Sequence, residues 1–205
     1  MFDRFQQIVV VDFEHEFGGH KSFEEANCSG ERPCPVCMAA KELRSGKRVK
    51  YFRGGFPDRP PFSTGPDALW VAYYSSAEWG DFLALDWQRP TCVLDLFTEF
   101  RNLTNGLETP AGAGLVGALV YFGIDHISAQ EKDDMRLLIL RGGPWSADEQ
   151  EAILKYCEEG DVLPLEHLLA KMAPHIDLPR ALLRDTCGHG REQVERSSIM
   201  FHPHS

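Results

Sequence analysis

The chain has 205 residues, 43% hydrophobic and 25% charged, with no apolar run of membrane-spanning length, which fits one ordinary globular core. A net charge of −10 argues against a polyanion spread over the whole surface, and Met1-Phe2-Asp3-Arg4-Phe5 lacks the basic start and long apolar stretch of an export signal. The expected setting is the cytoplasm, with no membrane partner and with the six cysteines as reduced thiols.

The predicted first strand runs from about Gln7 to Glu14, a strongly apolar run that ends in two carboxylates. Residues two apart on a strand share a face, so Asp12 and Glu14 stand side by side, and like charges that close keep their protons unless a cation lies between them. Hard carboxylate oxygens suit Mg²⁺ or Mn²⁺. The plain alternative is a strand that surfaces at its end and leaves two solvated acids.

His15 to Arg32, rich in Gly, Ser and charge, reads as a loop. Cys34-Pro-Val-Cys37, with Cys28 and His20 upstream, has the gap of a zinc knuckle, but no second such pair follows. Pro35 to Leu43 and Arg48 to Phe52 flank Arg44-Ser45-Gly46-Lys47 and predict a hairpin. The same stretch holds a basic strip, Lys41, Arg44, Lys47, Arg48, Lys50 and Arg53, against the single acid Glu42; it is either a solvated face or a path for a nucleic-acid backbone.

After a proline-rich crossing, Ala68 to Tyr74 predicts a buried fourth strand. Ser75 or Ser76 caps a helix to about Leu85, and Thr91 to Leu94 is a fifth, short strand closing with Asp95. Leu96 to Leu103, Leu115 to Phe122 and Glu131 to Leu140 carry apolar residues at helical spacing, and Ser146 with Glu149 forms a capping box for a helix through Tyr156. Cys92 and Cys157 read as small buried apolar residues. The class is α/β, a mixed five-stranded sheet flanked by helices.

Asp12 and Glu14, Glu78 in the first turn after strand four, and Asp161 beyond the Tyr156 helix fall where such a sheet gathers residues, at the carboxyl ends of strands. Together they make a cluster able to hold two divalent ions. The runs Val-Val-Val-Asp12-Phe-Glu14, Trp70-Val-Ala-Tyr-Tyr-Ser-Ser-Ala-Glu78-Trp and Tyr156-Cys-Glu-Glu-Gly-Asp161-Val resemble the three exonuclease motifs of the DEDD superfamily. The resemblance is to the 3′→5′ exonuclease domain of DNA polymerase I-like (family A) enzymes, of phage and prophage type. Val93 to Gly106 and Leu140 to Ser146 also look like that group. The likeness spans about residues 7 to 183, and the expectation is either a free-standing exonuclease without a polymerase domain or an isolated part of something longer.

The resemblance implies a ribonuclease H-like fold over residues 1–184; the remainder, 185–205, does not look like that group and reads as a poorly ordered polar tail, with a metal role for His189, His202 and His204 as the alternative. It implies that Asp12, Glu14 and Asp161 bind two Mg²⁺ or Mn²⁺ ions, that Glu78 completes the acidic set, and that Tyr156 orients the attacking water, with Asp95 supporting from behind. The expected substrate is a nucleic acid with a 3′ end, single-stranded DNA first. Arg48 and Lys50 would meet its backbone, and Tyr74 would offer a ring to a terminal base. A polymerase or a replication or repair protein is the candidate partner. The rival expectation is an exonuclease fold that has lost catalysis and serves as a nucleic-acid-binding or adaptor module.

Two features separate this chain from the usual motifs. The second motif has Tyr74 or Ser75 near the place of an Asn, and Glu78 in place of an Asp, with Asp81 one turn on as a further acid. In the third motif four residues intervene where three are usual, which rotates the side chain on a regular helix by about 100°. Tyr156 and Asp161 therefore cannot converge on one site from an unbroken α-helix. The sequence predicts that the helix from Ser146 ends or bulges between Cys157 and Gly160, and that Asp161 caps or opens a second helix.

Overall fold

A computed structural model describes residues 2–16, 33–109 and 111–184. His20, Cys28 and the tail at 185–205 lie outside the described residues. Five strands form one sheet in the order β3-β2-β1-β4-β5: β1 Gln7–Glu16, β2 Cys34–Glu42, β3 Arg48–Phe52, β4 Ala68–Ala72 and β5 Cys92–Asp95. β2 runs antiparallel to both β1 and β3, whereas β4 is parallel to β1 and to β5. The sheet is thus mixed and of ribonuclease H-like order.

Strand alternation sends successive side chains to two different cores. Ile8, Val10, Leu69, Val71 and Leu94 join one face, covered by α2 Leu96–Leu103, α3 Leu115–Phe122, α4 Ala129–Leu140, α5 Ala147–Lys155 and α6 Leu163–Met172. Val9, Val11, Phe13, Trp70 and Val93 join the other, covered by α1 Ser75–Ala84 through Trp79 and Phe82. Because both faces are covered, all five residues of β4 are buried, which accounts for its unbroken apolar run. Phe82 sits among Phe13, Trp70, Trp79 and Trp87, its ring 5.2–5.8 Å from theirs and edge-on to each. Among the described residues no helix is long and apolar enough to cross a membrane.

The chain between β4 and α1 departs from its prediction. The strand stops at Ala72, two residues early, and Tyr74 takes φ +72° as the residue before α1. The Asp95 carboxylate is the cause: it accepts the amides of Tyr74 at 3.0 Å and Ser75 at 3.2 Å, and also those of Phe97 and Thr98. One acid at the end of β5 therefore turns the chain into α1 and caps α2. Ser75 spends its hydroxyl on Asp95 rather than on capping its own helix.

β1 runs two residues further than predicted, to Glu16, held on the β2 side as far as Cys34 with a bulge after Glu14. Its parallel pairing with β4 ends earlier, at Val10 with Val71. Beyond Val10 the strand has β2 on one side and, among the described residues, no strand on the other. The end of the strand that carries the acids is therefore only half held.

Candidate metal centre

Asp12 and Glu14 follow Val10 in the alternation and so face the helical layer, as the pattern requires. Opposite them lies a π-helix, Tyr156–Val162, that continues α5 without a break and leads directly into α6. The predicted bulge is there, but the prediction that Asp161 caps or opens a second helix is not met, since Asp161 lies inside the π-helical segment. The physical reason is geometric: i→i+5 bonding brings residues five apart onto one face, so Tyr156 and Asp161 align with no break in the rod. Oxygens of Asp12, Glu14 and Asp161 all lie within 4.8 Å of one another.

The electrostatics are those of a crowded acid cluster. Burial first, and then Asp161, pushes the Asp12 carboxyl well above its ordinary value; burial followed by Asp12 and Asp161 does the same to Glu14. Burial, with Asp161, Glu14 and Asp12, pushes the Tyr156 phenol up strongly, so it stands as a neutral O–H hydrogen-bonded to Asp161.

Glu78 arrives from the first turn of α1 and is buried, but it is not part of the tight triad. It accepts the amide of Phe13, on the side where β4 has ended, while its Oε2 has no partner. Burial, then Asp12, Asp81 and Glu14, pushes its carboxyl up as well. Asp81, fully buried one turn on, meets His15 Nδ1 at 2.9 Å, and its Oδ1 is unsatisfied.

Two partners of the triad escaped the sequence reading. Lys132, on α4, places Nζ 3.0 Å from Asp161 Oδ1 and 6.0 Å from the centre of the Tyr156 ring. Nothing marked it out, because it stands in the run Glu131, Lys132, Asp133 and Asp134 near the start of its helix, any of which reads as a solvated face. Cys157 is buried as expected, but its Sγ lies 3.4 Å from both the backbone oxygen and Oδ2 of Asp12. Its place beside Tyr156 in the third motif was the available signal.

The residues expected to bind substrate are not members of the triad. Arg48 and Lys50 pair with Glu158 of the π-helix at 3.4 and 2.8 Å, and Lys41 pairs with Glu166 of α6 at 2.5 Å. These three residues of the basic strip thus clamp the segment that carries Asp161 onto the sheet. Tyr74 is exposed at the start of α1, edge-on to Phe97 at 5.0 Å. Of the cysteines of the zinc reading, Cys34 is exposed and Cys37 buried on β2, and among the described residues neither belongs to a metal-sized cluster.

The donor set fits divalent cations. It offers hard oxygens only, crowded against mutual repulsion, and Asp161 Oδ2 and Glu78 Oε2 are buried with no partner. No protein-family model and no curated protein matches the sequence. A solved structure described as the apo form of a nuclease does match, with a TM-score of 0.54 and 13% identity, over 98% of this chain and 90% of that one. The two chains share a fold. That fold is the ribonuclease H-like one.

Proposed function

We propose that this chain is a 3′→5′ exonuclease that hydrolyses phosphodiester bonds from the 3′ end of single-stranded DNA, using two divalent cations, Mg²⁺ or Mn²⁺. The observation that carries this reading is the meeting of Asp12, Glu14 and Asp161 within 4.8 Å, with Tyr156 aligned to Asp161 on one π-helical turn. The fold shared with a protein described as a nuclease supports it.

Asp12, Glu14 and Asp161 would hold the cations, with Glu78 behind them. Bound there, divalent cations would offset the charge that builds on the phosphate and make an attacking water more acidic. The remaining work belongs to the chain. Tyr156, neutral and giving its one O–H to Asp161, holds its oxygen in a fixed direction, so it can accept from the attacking water and orient it. Tyr74 offers an exposed ring on which a terminal base can stack.

A second reading, a nucleic-acid-binding module without turnover, is favoured by one observation: Glu78 stands outside the triad and accepts the Phe13 amide. End-labelled DNA and RNA strands incubated with Mn²⁺ or Mg²⁺ decide between the two. The exonuclease reading expects mononucleotides released from the 3′ end, and loss of release in Asp12→Ala and in chelator. Binding without shortening would establish the second reading, and equal activity in Asp12→Ala would remove the triad from the chemistry.

A further inference from the structure

Lys132 is a cation that reaches the acidic triad from outside it. Its ammonium is 3.0 Å from Asp161 Oδ1, and Asp161 is the better buried partner: the two side chains are 35% and 6% exposed. Among the described residues, it is the cation that pairs with a member of the triad. Its charge offsets only one of three carboxylates, and the second oxygen of Asp161 is left with no partner. The lysine is also carried by an element with its own anchors, since α4 is fixed by the Ser128–Glu131 capping box and by the buried Ile139. An ammonium on a flexible four-carbon stem can leave Asp161 without disturbing that helix.

We propose that Lys132 is a resident counter-cation, which neutralises Asp161 in the metal-free protein, gives it up when divalent cations bind, and is then turned to a phosphate oxygen of the nucleic-acid strand. This deepens the nuclease reading and rests on it. The ammonium and a divalent cation compete for the same carboxylate, so the lysine weakens metal binding in the absence of substrate. A lysine that merely held Asp161 in place for the metal would strengthen it. The two roles predict opposite signs.

The test is a calorimetric titration of the full chain with Mn²⁺ in the absence of nucleic acid, for wild type, Lys132→Met, Lys132→Arg and Asp12→Ala. Lys132→Met is expected to bind Mn²⁺ more tightly, on the order of tenfold, the size left to a close repulsion after solvent screening. Its metal-free form should melt below wild type, and its Mn²⁺-saturated form should recover most of the difference. Lys132→Arg, which keeps the charge, should stay near wild type. In Mn²⁺-saturated assays the KM for a labelled strand should rise several-fold in Lys132→Met. Unchanged or weaker Mn²⁺ binding in Lys132→Met overturns the proposal. Mn²⁺ binding retained by Asp12→Ala would instead overturn the assignment of the triad as the metal site, so the two failures are distinguishable.

Discussion

The thiol of Cys157 lies 3.4 Å from Oδ2 of Asp12 and equally close to the backbone oxygen of the same residue. Burial first, and then a hydrogen bond with Cys37, holds this thiol well above its ordinary range, so it is an S–H donor rather than a thiolate. A donor fixed against the carboxylate proposed to hold a cation sets the direction of its lone pairs. Cys157→Ala should weaken Mn²⁺ binding by roughly tenfold, the low end for loss of such a support, while Cys157→Ser keeps most of the affinity. Mn²⁺ titrations of the two variants check this, and equal, wild-type values in both would remove Cys157 from the site.

Stability of the metal-free protein should fall as pH rises. Burial is the largest cause lifting the carboxyls of Asp12, Glu14, Glu78 and Asp81, and for the first three neighbouring acids add to it; His15 opposes it at Asp81. Folded values above the unfolded ones, about 4 for a free carboxyl, mean that the native state holds protons more tightly. Their stabilisation is complete below the unfolded value and is lost as pH climbs through the folded values. Melting in chelator should therefore be higher at pH 5 than at pH 8, and Mn²⁺ should flatten the difference by taking the protons' place. A melting temperature in chelator that rises from pH 5 to pH 8 would contradict the crowding of these acids.

Glu42 works in the opposite sense and lower on the pH scale. Burial raises its carboxyl, but Ser45, with the amides of Arg44, Ser45 and Ile8, outweighs that and brings it down to about 2. The bonds are short, 2.6 Å from Ser45 Oγ and 2.7 Å from Ser45 N, and the Ile8 amide at 3.1 Å ties the hairpin to β1. A folded value below the unfolded 4.5 gives stability that is present above that pH and lost between about 4.5 and 2. Discounted for solvent screening, the shift corresponds to about 1–2 kcal/mol at neutral pH, taken as an order of magnitude. Glu42→Ala should lose that much in denaturant titrations at pH 7 and show a flatter acid limb.

Arg48 and Lys50 are half-exposed and share Glu158, so each pair adds about 0–1 kcal/mol of stability at most. Replacing both with Ala should cost little in melting temperature. If they also meet the backbone of a single strand, the salt dependence of binding should flatten by about 1.4 in slope, about 0.7 for each phosphate no longer neutralised. Glu158→Gln, which releases both cations, should then tighten binding at low salt. An unchanged slope in the double variant returns the strip to clamping the π-helix alone.

The legible parts of this fold were those set by local chemistry. The alternation that puts Asp12 and Glu14 on one face, the Gly46 turn at φ +72° and the capping box at Ser146 each depend on a few adjacent residues, and each is where the pattern places it. The extra residue between Tyr156 and Asp161 was legible as a conflict, but its resolution was not. Packing against β1 and β2 decides whether a helix breaks or widens, and no residue within the segment records that choice. Lys132 and the pairing of His15 with Asp81, 66 positions away, depend on tertiary approach alone. The end of β4 was misjudged for the same reason, because Asp95, some 20 residues on, draws the amides of Tyr74 and Ser75 out of line.

β1 outruns its parallel neighbour, and this makes the site mechanically uneven. Among the described residues, the strand is stitched on both edges from Gln7 to Val10 and on one from Val11 onward, with Glu78 catching the Phe13 amide on the other side. A beam clamped on both edges at its root bends more readily where it is clamped on one. The spacing between Asp12, Glu14 and the π-helix can therefore widen or close by flexing the outer part of one strand, while Val9 and Val10, fully enclosed, stay still. The amide proton of Phe13 is the gauge of that flexing: its exchange with solvent should quicken whenever Glu78 lets go and slow when the acids are drawn together.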